Sequence, residues 1–275
     1  VTLFFISNSF GQFNSDREAY LSLLDKLKKD PNKIYENVTS TSETTDFVNF
    51  KTVNGEEKLI TLKIYKLFND VSTPSTESKT IDLTPELKQF NLAESLIIAA
   101  NPRFNTSNLS NIYQINFEKL SHLSNLITFS FDVGPNQKSQ LEVFNLDKIN
   151  TIPQLRTLGL RALKMDDGVY NVLESTTPYN IKDFTISPFT NGVESISNFT
   201  FSGFKNTLEK LTIEDFYGNL NNNFLSNLPN LRSFTYIGEF NNFPTNLSNS
   251  QKLEEVTLKN KFSDLTIPAQ ISDLT

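Results

Sequence analysis

The side chains in this chain that could do chemistry are few, and their spacing suits none of the usual reactions. Its single histidine, His122, sits between Leu120 and Leu123. An imidazole base needs a nucleophile and an orienting acid within reach, and no such cluster stands near it, so a surface or rim histidine is expected. Asp166-Asp167-Gly168 and Glu214-Asp215 are acidic pairs of the kind a hard cation prefers. A calcium loop, however, needs many more oxygen ligands at set spacing, and Asp-Asp-Gly reads better as a turn. Spacing alone does not rule out a carboxylate pair for glycoside hydrolysis, but nothing in the chain supports one. There is no cysteine, which removes thiol nucleophiles, zinc–thiolate sites and disulfides. Phosphate loops, G-x-S-x-G and H-E-x-x-H are absent as well. The expectation is a non-catalytic chain with no cofactor and no metal.

Composition narrows the partners. Net charge is -6 over 275 residues, with the basic residues scattered rather than clustered. That argues against nucleic acid. No run of apolar residues is long enough to span a membrane as a helix, so membrane contact is expected only through segments outside this stretch. Asn37, Asn105, Asn108, Asn198 and Asn246 each open an N-x-Ser/Thr sequon, the acceptor pattern for N-glycosylation. Asn, Ser and Thr are so frequent that chance supplies a similar number, and Asn198 falls in a predicted strand.

The elements that must position any site are set by a recurring pattern. Leu208-Glu209-Lys210-Leu211-Thr212-Ile213 reads L-x-x-L-x-I. First anchors recur at Leu59, Ala93, Leu126, Leu155, Ile181, Leu208, Leu231 and Leu253, with steps shortening from 34 residues (Leu59 to Ala93) to 22 (Leu231 to Leu253). In a short strand the last two anchors share one face. One such strand cannot bury its apolar face alone, whereas stacked neighbours can. Ahead of several strands the apolar residues step by three, as in Leu120/Leu123/Leu126, Ile149/Ile152/Leu155 and Leu225/Leu228/Leu231. Segments at Ile112/Ile115/Phe117, Leu141/Phe144/Leu146 and Ile196/Phe199/Phe201 show the strand pattern at half-period. They are expected to be extended pieces, a partial second sheet.

These cores resemble the leucine-rich-repeat family. The resemblance implies an α/β solenoid: a horseshoe with a concave parallel sheet, an irregular convex side and an N-terminal helical cap. Only Asn101 stands where the family's L-x-x-L-x-L-x-x-N places its asparagine; Gly134, Leu163 and Phe189 take that place elsewhere, so other groups must satisfy those turns. The order of elements before the first repeat resembles the cap of plant-type extracellular members. Ser15 and Glu18 open a helix with Tyr20, Leu23, Leu24 and Leu27 on one face. Lys26, Lys28 and Lys29 suit its dipole. An extended segment with Phe47, Phe50 and Val53 follows, and then a turn at Asn54-Gly55. The family's cap cysteines are missing.

Three divisions follow: 1–13, reading as the end of a signal peptide or else as a first strand or tail; 14–58, the cap; and 59–275, the repeats. The final residues run into the place where another core would begin, so a longer chain is expected.

By elimination the surface to examine is the concave face. Its middle column is Lys63, Ile97, Ser130, Gly159, Thr185, Thr212, Thr235 and Thr257. A threonine column is what strand preference and cross-strand pairing favour on their own. The candidates for partner contact are Arg161, Asp183, Lys210, Thr212, Glu214, Arg232, Thr235, Glu255 and Lys259. The expectation is a module recognising a protein ligand or cell-surface partner, extracellular or on the cell surface, in adhesion or ligand recognition. The alternative, which the missing cysteines favour, is a cytoplasmic scaffold for protein–protein interaction.

Overall fold

The computed structural model describes residues 13–27, 29, 31–38, 45–65, 79–100, 111–133, 139–189, 199–217, 225–239 and 250–260. Helix α1 (Asp16–Leu27) begins where the capping residues place it. Ser15 Oγ accepts the Glu18 amide at 3.1 Å, and Glu18 Oε2 accepts the Asn14 amide at 2.8 Å. A first-turn donor and the entering chain are thereby both satisfied. Tyr20, Leu23, Leu24 and Leu27 are all buried.

β1 (Tyr35–Glu36) pairs in parallel with β2 (Phe47–Val53), which turns back into β3 (Glu56–Ile64). The turn residues Asn54 and Gly55 both lie in the left-handed region, at φ 53° and 82°. This two-residue geometry matches the twist of the flanking strands.

The remaining strands are β4 (Thr80–Asp82), β5 (Ser95–Ala99), β6 (Ile112–Asn116), β7 (Thr128–Asp132), β8 (Gln140–Phe144), β9 (Thr157–Leu163), β10 (Asp183–Pro188), β11 (Lys210–Tyr217), β12 (Ser233–Glu239) and β13 (Glu255–Asn260). β3, β5, β7, β9, β10, β11, β12 and β13 lie side by side in that order, all parallel. β4, β6 and β8 form a second parallel ladder, joined to β9 through Leu141 opposite Leu163. The fold is α/β, built on one large, mostly parallel, open sheet of 13 strands.

Two of the three half-period segments, those at Ile112 and Leu141, are strands of the second ladder. The third is not. Ile196 lies outside the described residues, and Phe199–Phe201 is not a strand. Phe201 sits at a left-handed φ of 52° and opens the single turn Ser202–Phe204, with its ring directed into the core. Asn101, Gly134 and Lys28 also lie outside the described residues.

The three-residue step has a local cause. The amides of Leu123 and Leu126 donate to the carbonyls of Leu120 and Leu123 at 3.0 and 3.1 Å. The same pair of bonds links Ile149, Ile152 and Leu155, and again Leu225, Leu228 and Leu231. Consecutive i to i-3 turns put every third side chain on one side, and all of these residues are buried. Leu87-Phe90-Ala93 makes the same pair of bonds directly after the i to i-4 bonds of Leu87 and Lys88.

The entries of β7 and of β9 to β13 are each tied to the main-sheet strand before them. The Glu94 carbonyl accepts the Ile127 and Thr128 amides, and Ile127 does the same for Arg156 and Thr157. The pattern continues through Arg156, Lys182, Glu209 and Arg232. This chain of doubly accepting carbonyls satisfies the strand entries without an asparagine.

Charge, not sulfur, ties the helix to the sheet. Arg17 grips Glu36 at 2.8 Å and Glu57 at 2.7 Å while its guanidinium lies 4.2 Å above the Phe50 ring. Asp16 is buried and accepts the Leu59 amide at 2.8 Å; burial pushes its carboxyl up from the ordinary range. Lys26 does more than suit the dipole of α1. Its Nζ lies 2.7 Å from Glu86 Oε2 in helix α2 (Thr84–Leu87), and Ser22 Oγ donates to Glu86 Oε1 at 2.8 Å.

The Glu86 side chain is wholly buried while Lys26 is 29% exposed. Lys26→Met would strand a buried carboxylate with one neutral donor. A fully buried pair broken this way costs about 3–5 kcal/mol, and the partial exposure of Lys26 reduces the expectation to about 2 kcal/mol. Urea denaturation measures it; a loss below about 0.5 kcal/mol would mean that Ser22 alone satisfies the carboxylate.

Candidate functional site

Strand register turns the recurring cores into rows on the sheet face opposite the core. On β9, β10, β11, β12 and β13 the first row is Thr157, Asp183, Lys210, Ser233 and Glu255. The middle row is Gly159, Thr185, Thr212, Thr235 and Thr257, and the third is Arg161, Ser187, Glu214, Ile237 and Lys259. β7 continues the three rows with Thr128, Ser130 and Asp132. Alternation is the cause: anchors such as Leu211 and Ile213 are fully buried, and the residues between them face away.

One ion pair spans three strands. Arg161 Nε lies 2.6 Å from Glu214 Oε2 and Nη2 lies 2.9 Å from Oε1, so the guanidinium reaches across β10 above the buried Ser187. Asp132 Oδ2 stands 4.0 Å from Nε on the other side. Burial by itself pulls the Arg161 guanidinium down, but Glu214, Asp132 and Asp183 outweigh it and hold it raised and charged. Asp183 behaves differently: burial pushes its carboxyl up, with Lys210 and then Arg161 pulling it back.

Just beyond the Arg161–Glu214 pair the register slips by one residue on both sides of β10 and β11. The extra residues are Ala162, at a left-handed φ of 55°, and Asp215. Such bulges bend a strand and end its regular pairing.

Seven of the nine expected contact residues lie together in these rows as single columns predict: Asp183, Lys210, Thr212, Glu214, Thr235, Glu255 and Lys259. Thr212 is more closed in than its place suggests, at 8% exposure between Thr185 and Thr235. Arg161 joins them but is spoken for by Glu214. Arg232 does not belong to the rows. It precedes β12 on the sheet margin, where its exposed side chain meets Glu254. Lys182 and Glu209 pair on the same margin at 2.7 Å. Asp132 is the charged face residue that sequence reading missed. It stands one place after the last anchor of Phe129-Ser130-Phe131, the position Arg161 and Glu214 hold in their own strands.

No family model matches this chain, and no curated protein matches it. The site must therefore be read from its own chemistry.

The other candidates fall to structural roles. Asp166 caps helix α3 (Asp167–Leu173), its Oδ1 accepting the Val169 amide at 3.1 Å, so Asp-Asp-Gly opens a helix rather than forming a bare turn. His122 is exposed, with Nε2 2.5 Å from the Lys88 carbonyl oxygen. Among the described residues no three His, Asp or Glu side chains stand together as a metal would need. Asn37 is exposed at φ 51°, and its Oδ1 accepts the Phe50 amide at 2.8 Å. Asn105, Asn108, Asn198 and Asn246 lie outside the described residues. No described helix is long and apolar enough to cross a membrane.

What remains is a surface of short hydroxyls and fixed charges. Glu214→Gln should cost about 2 kcal/mol, because a charge-assisted pair with both side chains at least 70% shielded contributes about 1.5–3 kcal/mol. Thermal unfolding of the variant tests this. An unchanged midpoint would make the pair a surface ornament.

Proposed function

We propose that the chain is a leucine-rich-repeat solenoid, a horseshoe with the three-row face on its concave side and the second ladder on its convex side. It acts as a non-catalytic protein-recognition module. One observation carries this reading: each main-sheet strand from β3 onward lies next to the preceding main-sheet strand, paired in parallel with bulges at Ala162 and Asp215, and with its anchors packed in one continuous core. That is how a stack of repeats is built, and such stacks bind through their extended face. The module is the ectodomain of a secreted or cell-surface protein engaged in adhesion or ligand recognition. Supporting this are the order of cap elements and the exposed sequon asparagine Asn37. A cytoplasmic scaffold is the second reading, favoured by the absence of cysteine.

Two measurements test the proposal. Intact cells treated with a membrane-impermeant biotin reagent should label the protein; labelling only after lysis overturns the ectodomain reading. A photo-cross-linking amino acid at Thr185 or Thr235 should trap a protein partner, whereas one at the exposed Asp147 should not. Equal trapping at all three positions overturns recognition by this face.

A further inference from the structure

On the sheet face the charges differ in how they are satisfied. Arg161 and Glu214 close on each other through two hydrogen bonds, and Glu255 Oε2 accepts the Ser233 hydroxyl at 2.9 Å. Asp183 and Lys210 do neither. They are register partners on β10 and β11, yet among the described residues neither side-chain charge takes part in a hydrogen bond or a close ion pair. Lys210 and Arg161 act on Asp183 only through space. Asp183 is half-buried and Lys210 exposed. The cost of desolvating the carboxylate is therefore met without a donor to repay it, which is the poorer arrangement for stability alone. Access is open: beside Asp183 stand the short side chains of Thr157 and Thr185, and Gly159 lies diagonally behind.

We propose that a partner polypeptide docks on this face with a lysine or arginine on Asp183 and a neighbouring acidic side chain on Lys210. The inference rests on the recognition reading above and names the chemistry that face would take. Adjacent strands lie about 4.8 Å apart, so the partner's two charges must sit about 5 Å apart, as on consecutive strands or one helical turn. A partner with one sign of charge matches only one of the two. The closed Arg161–Glu214 pair contributes a fixed wall beside that contact, because its two charges are already matched against each other.

The test uses a random dodecapeptide library displayed on phage, selected on the whole chain. Clones that Thr235→Arg abolishes are the face binders, since Thr235 lies in the middle row and its side chain points away from the core. These clones should be enriched in a basic residue near an acidic one. Asp183→Asn, which keeps the side-chain shape, should weaken them about tenfold, as loss of a charge-assisted hydrogen bond does. Its melting curve, matched to the parent, shows that the variant is folded. Face binders with no basic enrichment, or binders indifferent to Asp183→Asn in the folded protein, overturn the proposal and leave recognition by the face standing. If no selected clone is sensitive to Thr235→Arg, both fall together.

Discussion

Phe184→Ala should destabilise the protein by about 4 kcal/mol, within the 3–5 kcal/mol typical of emptying a buried aromatic site. Phe184 is the second anchor of β10 and is 1% exposed. Its ring stands 5.0 Å from that of Phe204 and 6.3 Å from that of Phe201, and Phe204 in turn meets Tyr179 at 5.5 Å. An alanine leaves those rings without the contacts that hold them. Phe201 and Phe204 come from a single turn, Phe201 at its start and Phe204 at its end, which has few other ways to refill the space. Urea denaturation gives the size of the loss. Hydrogen exchange gives its extent: in an open sheet where β10 pairs with β9 and β11, protection should fall first in β10 and β11 and last near β3. A loss under about 1.5 kcal/mol would mean that the turn collapses into the gap and that the core there is less tightly set than its ring geometry implies.

What the sequence disclosed follows from what is local. Every first anchor from Leu59 to Leu253 is buried as its spacing predicts, because a period of two within a strand and a fixed order of apolar positions need no knowledge of neighbours. The helix start at Ser15, the hairpin turn at Asn54 and the three-residue steps are local in the same way. The last described strand keeps the pattern with less burial: Val256 and Leu258 are partly buried and packed against the core. What stayed hidden depends on contacts between segments far apart in the chain. Arg161 and Glu214 are 53 residues apart, and nothing in either segment says that a guanidinium will cross an intervening strand over a small serine. Arg232 looks like a face residue when counted from Leu231, yet the strand begins one residue later. Phe201 carries the apolar pattern of a strand and adopts a left-handed turn, because ring packing against Phe184 outweighs local preference. Lys26 suits its helix end in sequence and finds Glu86 only once α2 is placed beside α1. The face itself was foreseeable as a column. Which of its charges close on each other, and which stay open, was not.

Gly203→Ala should destabilise by about 3 kcal/mol, the upper range for forcing an extra methyl into a packed site. A Cβ on Gly203 would meet the Val172 carbonyl oxygen at 2.3 Å and the Tyr179 ring at 3.0 Å. The first of these is backbone at the end of α3, so no side-chain rotation relieves it. Gly203 also accepts the Tyr179 amide at 2.7 Å, so the turn cannot retreat without losing that bond. The close approach is what brings Phe201 and Phe204, on either side of the glycine, down onto Phe184. In the chain this glycine looks like any other loop residue, and only the meeting of α3 with the following turn explains it. Gly159 provides the contrast. Its Cβ would meet Ser130 Oγ at 2.4 Å and Ser130 Cβ at 3.0 Å; the hydroxyl can rotate away and only the Cβ contact is left for the strands to absorb, so Gly159→Ala should cost less than Gly203→Ala. Thermal unfolding of the two variants side by side decides the matter. Equal losses would mean that the strand ladder at Gly159 is as unyielding as the α3 backbone. A near-neutral Gly203→Ala would mean that α3 and the turn can move apart, and the aromatic cluster around Phe184 would then not hold β10 rigid.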